Sequence, residues 1–386
     1  MNRLTPSVAW LNLTHKPVRL LLLLSGIVFA IVLMFMFSGF KFALYDSQLQ
    51  LLDHLRGDIF LVHERRPSLT IPKAIPQRVL YQAQAYPGVR TASALYVNNA
   101  YWKNLEDEKI RSVRAIAFNL NEPLFDFPEL QNTAALQLPY TGLVDRRSRP
   151  EVGLISPGTL TELEDQQIRV VGNFTLGNDF ASENGNVIMS TENFFRYFGG
   201  GDPAAGARTV DQVDVGVVFV DPAYSPGAIA ATLRQALPPS VTVLLREQVK
   251  AWERSYWQYS TNIGFVFGLL TIMGFVIGII LCYQIIYADI ADHLSEYATL
   301  KAIGYRNIFL YGVIFQESLL LAVMGFIPAT LLTYGLYAIS QRATGLVFEM
   351  RLDRSLNLLV MTVLMCFIAG LISLVKVQQS DPAEIF

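Results

Sequence analysis

The sequence predicts an α-helical membrane protein with four transmembrane helices and an inserted α/β extracytoplasmic domain of two lobes. Three observations predict it. Four long apolar stretches punctuate the 386 residues, each able to supply the ~20 residues that a bilayer crossing needs. The charges avoid those stretches: residues 42–259 hold 20 of the 30 Lys and Arg and 24 of the 32 Asp and Glu. That charged block lies between the first and second apolar stretches, within the ~50–250 residues of an ordinary domain.

The organisation follows in order. Residues 1–19 read as a cytosolic interfacial helix: Thr5-Pro6 is a helix start, Val8, Trp10, Leu11 and Leu13 give an apolar side, and Pro17 breaks it. A plain extension of the first span is the alternative. Transmembrane helix 1 is placed at 20–41, uncharged to Phe40, and too long for the ~7–15-residue core of a signal peptide. The inserted domain occupies 42–259. Transmembrane helices 2, 3 and 4 are placed at 260–288, 307–340 and 356–376, with a polar turn at 289–306, a short outer loop at 341–355 and a tail at 377–386. Basic residues favour cytoplasmic termini. Arg3, Lys16, Arg19, Lys301, Arg306 and Lys376 fall on one side, and Arg342, Arg351 and Arg354 on the other.

Within the inserted domain, two β-α-β patterns flank a middle piece. Strand-like 58–62, helix-like 76–85 and strand-like 91–97 form the first. Strand-like 213–220, a helix opened by Ser225-Pro226 and strand-like 241–245 form the second. Together they predict a split β-α-β lobe from 42–120 and 210–259. A second lobe, about 120–210, has candidate strands at 168–171 and 186–189. Both ends of the domain read as helices running on into the membrane, 42–55 after span one and 246–259 before span two, with Trp252, Tyr256, Trp257 and Tyr259 as an aromatic belt.

Composition excludes several functions. A formal net charge of −2 argues against nucleic-acid binding. There is no Gly-Lys pair, hence no P-loop, and no His-Glu-x-x-His, so neither a catalytic residue, a metal ligand set nor a cofactor site is expected on this chain. His15, His54, His63 and His293 are scattered. Cys282 and Cys366 both fall in spans and read as helix-packing residues. Glu317 is the one acid inside an apolar run, read either as a proton or substrate site or as a partnered group near an interface. Gly264, Gly268, Gly274 and Gly278 give two small-xxx-small motifs suited to helix packing within the subunit or against a second copy.

The turn at 289–306 has acids first (Asp289, Asp292, Glu296) and bases last (Lys301, Arg306), as a helix dipole favours, with Gly304 at a stop position. Tyr297, Leu300 and Ile303 form an apolar stripe, which suits either a docking partner or the lipid surface.

Glu296-Tyr-Ala-Thr-Leu-Lys-Ala-Ile-Gly-Tyr305 resembles the cytosolic coupling segment of MacB/FtsX-type permeases, which read Glu-x-Gly-x-x-Arg/Lys-Ala-x-Gly-Ala. Ala298 and Tyr305 depart from that pattern in a way similar to the DevC-type branch. So do Trp252-Glu-x-x-Tyr-Trp257, Tyr283-Gln-Ile-Ile-Tyr-x-Asp289, Asp292-His-Leu-x-Glu-Tyr297 and the ending Ser380-Asp-Pro-Ala-Glu-Ile-Phe386. The resemblance implies a MacB-like architecture and the permease subunit of a tripartite ABC exporter in the inner membrane. It implies a second copy of the chain, a separate ATPase that binds ATP and Mg²⁺, a periplasmic adaptor and a TolC-like outer-membrane channel. The implied ATPase-docking residues are Asp292, Glu296, Tyr297, Leu300, Lys301, Ile303, Gly304 and Tyr305. The implied cargo is lipid-like, a glycolipid in the DevC branch. The competing reading is an FtsX-like mechanical signalling protein that regulates a cell-wall hydrolase and moves no cargo. A membrane-anchored enzyme or receptor is a third, with no catalytic set behind it.

Overall fold

The computed structural model describes residues 17–131, 134–179, 184–200, 208–292 and 307–379. The interfacial helix before Pro17, most of the 289–306 turn and the tail after Gln379 lie outside the described residues. The chain divides into two compact units. One comprises residues 1–42, 262–343 and 348–386; the other comprises 43–261 with 344–347.

The first unit is built from helices long and apolar enough to cross a membrane. Helix α1 runs Pro17–Ser47, and its apolar window is 20–47. Pro17 opens it, the position where a missing N–H costs nothing. Three more such helices have apolar windows at 264–288, 315–344 and 352–373. The interior is lined by Ile27, Ile31 and Phe35 of α1 and by Cys282, Ala322, Met365 and Ala369.

The inserted unit begins with a short helix, α2 (Gln50–His54). Its strands are β1 (Ile59–His63), β2 (Ile75–Pro76), β3 (Val89–Lys103), β4 (Ile110–Phe118), β5 (Thr141–Asp145), β6 (Leu160–Leu163), β7 (Gln166–Phe174), β8 (Asn186–Ser190), β9 (Gln212–Val213), β10 (Val215–Val220) and β11 (Val241–Leu245). Helices α3 (Arg78–Gln84), α4 (Thr191–Phe198), α5 (Pro226–Ala236) and α6 (Arg246–Tyr259) complete it. Then follow α7 (Asn262–Asp292), α8 (Asn307–Thr344) and α9 (Leu352–Gln379) of the membrane unit.

Nine strands form one sheet in the order β11-β1-β10-β3-β4-β8-β5-β7-β6. Both expected β-α-β pieces are present and interlock. β10 lies between β1 and β3, antiparallel to each, and β1 lies between β10 and β11, antiparallel to each. Each crossover therefore skips one strand, the split arrangement. The middle piece extends the same sheet: β8 joins β4 in parallel, β5 joins β8 antiparallel, and β7 joins β5 in parallel. The far strand curls back, so Trp102 of β3 faces Leu163 of β6.

Both faces of this sheet are covered, which is why strands such as Val-Gly-Val-Val-Phe-Val read as unbroken apolar runs. Ile59, Leu61 and Val218 pack under Val79 and Leu80 of α3 and Ile229 and Leu233 of α5. The alternate residues Phe60, Val62 and Val217 face Leu51 and Leu52 of α2 and Val249 of α6. The helices beside the spans thus belong to the second face of the sheet.

One expectation is corrected. The 42–55 segment is not one helix continuing span one. α1 ends at Ser47, whose hydroxyl bonds back to Leu44 O at 2.7 Å, and Leu49 N–H bonds Asp46 O in a turn before α2 restarts. Likewise α6 stops at Tyr259 and α7 restarts at Asn262, with the Thr261 hydroxyl on Trp257 O at 2.7 Å. Hydroxyl groups that compete for backbone carbonyls mark both breaks.

Candidate functional site

Of the expected docking residues, only Asp292 is described, as the last residue of α7. Glu296, Tyr297, Leu300, Lys301, Ile303, Gly304 and Tyr305 lie outside the described residues. The described residues instead bring together a second constellation, the foot of the inserted unit where α2 and α6 meet.

Arg246, Lys250 and Arg254 recur every four residues, so they share one face of α6. That face meets the segment after span one. The Arg246 guanidinium donates to the carbonyls of Leu52 at 3.2 Å, Gly57 at 2.9 Å and Leu55. It satisfies carbonyls that α2 leaves open at its end. Lys250 pairs with Asp53 at 2.7 Å and Arg254 approaches Asp46 at 4.0 Å. The two ion pairs are partly solvated, worth about 0–1 kcal/mol each. The Arg246 carbonyl contacts are the firmer part of this clamp.

The neighbouring face of α6 carries Glu253, fully buried. Its carboxylate accepts from Ser68 Oγ at 2.6 Å, Leu69 N at 2.8 Å and Trp257 Nε1 at 2.9 Å. Burial pushes this carboxyl above the ordinary glutamate value, and the three donors pull it partly back. The loop it grips is itself folded around Arg66, 2% exposed. Arg66 donates to the carbonyls of Ser68 at 3.0 Å, Lys73 at 3.0 Å, Asp214 at 2.7 Å and Leu69 at 2.6 Å. Asp214 Oδ1 lies 3.4 Å from Arg66 and 2.8 Å from Arg208, and Oδ2 accepts from Val97 N at 3.1 Å. Burial lowers the Arg66 pKa and the Asp214 charge opposes that shift. The chain of bonds runs α6, loop 66–70, Asp214, β3. It ties α6 to the sheet through buried polar groups.

Sequence reasoning saw Trp252, Tyr256, Trp257 and Tyr259 as an aromatic belt and Trp252-Glu-x-x-Tyr-Trp257 as part of a family resemblance, and it gave Glu253, Arg66 and Asp214 no structural role. The i, i+4, i+8 spacing of Arg246, Lys250 and Arg254 was the legible signal. Nothing local marks a contact between Glu253 and Leu69.

In the membrane unit, the two glycine motifs divide. A Cβ on Gly274 would lie 2.8 Å from Phe37 of α1, and one on Gly278 would lie 2.2 Å from Met365 Sδ of α9. These two glycines let α7 approach its neighbours. Gly268 has no such neighbour within 4 Å, and Gly264 is buried. Glu317 is 3% exposed on α8. Cys282 of α7 and Cys366 of α9 are buried with sulfurs 3.9 Å apart. Among the described residues, no cluster of three or more His, Cys, Asp or Glu could hold a metal.

Among the described residues these features give four helices long and apolar enough to cross a membrane, with a mixed α/β unit inserted after the first. Residues 257–382 match the FtsX-like permease C-terminal family. The membrane part of the chain from α7 onward is thus similar to FtsX-like permease domains. No curated protein matches the chain. The periplasmic region of MacB from Actinobacillus actinomycetemcomitans aligns at 9% identity over 51% of this chain and 92% of its own, with a TM-score of 0.36. The extracellular domain of the noncanonic ABC-type transporter YknZ from Gram-positive bacteria aligns at 13% identity over 49% and 98%, with a TM-score of 0.33.

Proposed function

We propose that this chain is the permease subunit of a tripartite ABC exporter of the DevC-type branch. It sits in the inner membrane with both termini cytoplasmic and residues 42–259 periplasmic. A separate ATPase docks on the 289–306 turn through Asp292, Glu296, Tyr297, Leu300, Lys301, Ile303, Gly304 and Tyr305. A second copy pairs with it, and the inserted unit meets a periplasmic adaptor leading to a TolC-like channel. Nucleotide hydrolysis happens on the partner; this chain transmits the movement and exports a lipid-like cargo.

The observation that carries this reading is the FtsX-like permease match over 257–382, which includes the whole turn. The α6 clamp supports the transmission part: α6 precedes α7 directly, and its bonds reach β3 through Asp214. Leu300→Asp and Gly304→Pro test it. We expect either to lose co-purifying ATPase from detergent-solubilised membranes while the chain still inserts. Unchanged ATPase recovery with both variants sinks the docking assignment.

The second reading, FtsX-like mechanical signalling without cargo, is favoured by the same match. Partner identification separates the two: an adaptor recovered with the ATPase supports export, and a cell-wall hydrolase without an adaptor supports signalling.

A further inference from the structure

Beside the α6 clamp, the inserted unit has a cleft of about 630 Å³ between the 118–130 segment and the chain leaving α2. Backbone bonds build it: Arg56 N–H donates to Leu124 O at 2.7 Å, Asp126 N–H donates to His54 O at 3.1 Å, and Leu55 bridges Phe125. The volume is that of a small-molecule site, ~300–1,000 Å³.

The cleft carries charge of both signs beside an apolar wall. Arg56 is exposed on its lining, and its guanidinium has neither ion pair nor hydrogen bond among the described residues. Two carboxylates share the lining. Asp126 is 45% exposed and holds His54 at 2.7 Å. Glu122 accepts from Asn119 with one oxygen, and its other oxygen is out of solvent without a donor. Leu120 and Leu130 are half-buried on the same lining, with Phe125 beneath.

We infer that this cleft binds the zwitterionic headgroup of an amphiphile, a phosphate with an ammonium. The anion meets Arg56, the ammonium meets Glu122 and Asp126, and the first chain carbons cover Leu120, Phe125 and Leu130. A headgroup of single charge, whichever sign, leaves a like charge facing it, which is how a mixed lining discriminates. The assignment deepens the exporter reading and rests on it only for calling the ligand cargo. The same phosphate and ammonium occur in free phosphoethanolamine, which cannot use the apolar wall.

Calorimetry on the full chain in maltoside detergent tests it with three probes: dihexanoyl phosphatidylethanolamine, dihexanoyl phosphatidylglycerol and free phosphoethanolamine. The wild type is expected to bind the phosphatidylethanolamine saturably and at least tenfold tighter than either other probe. Arg56→Ala is expected to weaken it at least tenfold. Glu122→Gln with Asp126→Asn is expected to weaken it similarly while tightening phosphatidylglycerol, an inversion that misfolding does not produce. Equal binding of the two lipids, unchanged binding by Arg56→Ala, or no saturable binding overturns the site. Equal binding of free phosphoethanolamine overturns the amphiphile and leaves a solute site. ATPase co-purification is expected to be unchanged in Arg56→Ala, so loss of the exporter reading and loss of this site are read separately.

Discussion

The carboxylate of Glu253 accepts a 2.8 Å hydrogen bond from the backbone N–H of Leu69, across a sequence separation of 184 residues. This bond makes the helix before the second span inseparable from a loop near the start of the inserted unit. Glu253→Gln keeps the size but turns one oxygen into a donor that faces either Ser68 or Leu69. Leaving a buried polar group unpaired costs ~1–3 kcal/mol. Differential scanning of the full chain is expected to show a lower thermal midpoint for the inserted unit, and an unchanged midpoint refutes the latch.

Glu253 also sets a pH dependence. Its folded-state pKa is raised, chiefly by burial, so the folded chain holds this proton more tightly than the unfolded chain. The contribution is fully present below the ordinary glutamate value of ~4.3 and is lost as pH rises through the raised folded value. The midpoint of the inserted unit is therefore expected to fall as pH rises through and above the usual carboxylate range. Glu253→Gln is expected to flatten that slope. An identical slope in the variant disproves the assignment.

Arg66 gathers four carbonyls and the Asp214 carboxylate. Lysine cannot reproduce that planar fork. Arg66→Ala is expected to cost at least ~1–3 kcal/mol, because it takes the donor from the carbonyls of Ser68, Leu69, Lys73 and Asp214 while Arg208 still pairs the Asp214 carboxylate. Arg66→Lys is also expected to destabilise. Limited proteolysis is expected to cut both variants between 63 and 76 faster than wild type. Equal cutting rates argue against Arg66 as the organiser of this loop.

The Tyr337 hydroxyl donates to Phe35 O at 2.8 Å, and a Cβ on Gly39 would lie 2.3 Å from the Tyr337 hydroxyl oxygen. Tyr337→Phe is expected to cost ~0.5–1.5 kcal/mol, one hydrogen bond. Gly39→Ala is expected to cost more, since it displaces the ring. Thermal melts in detergent check the order, and a reversed order removes this contact as the reason for glycine at 39.

Gly268→Ala and Gly278→Ala separate the two halves of the glycine pattern. Gly278→Ala meets Met365 and is expected to cost ~1–3 kcal/mol by overpacking. Met365→Ala is expected to relieve part of that cost, giving a measurable coupling. Gly268→Ala meets nothing within 4 Å and is expected to leave the melt of the single chain unchanged. Equal effects at the two positions contradict the packing assigned to α7.

The spans were legible because a bilayer demands one simple signal, some twenty apolar residues. The interlocked β1, β3, β10 and β11 were legible because each is followed or preceded by a helix with its own start signal, such as Ser225-Pro226. The middle of the domain was harder. β5 is five residues, all buried, too short to show any period. β4 carries Arg114 in its centre, fully buried against Asn186 and Asp179, where a charge on sequence alone argues for a surface. α4 is only eight residues, though Ser190 caps it by accepting from Asn193 N at 3.1 Å. On α6, the partners of the basic stripe come from residues 46–57 and those of Glu253 from loop 66–70. Contacts between such distant residues are fixed by the sheet between them and leave no local trace.

Arg246 holds the carbonyls of Leu52, Leu55 and Gly57, so a single side chain staples the incoming segment of the inserted unit to its outgoing helix. Modules whose two ends sit side by side tolerate excision, grafting and exchange. The arrangement makes residues 43–261 a cartridge: a different payload of strands and loops fits the same socket, provided it brings its own staple.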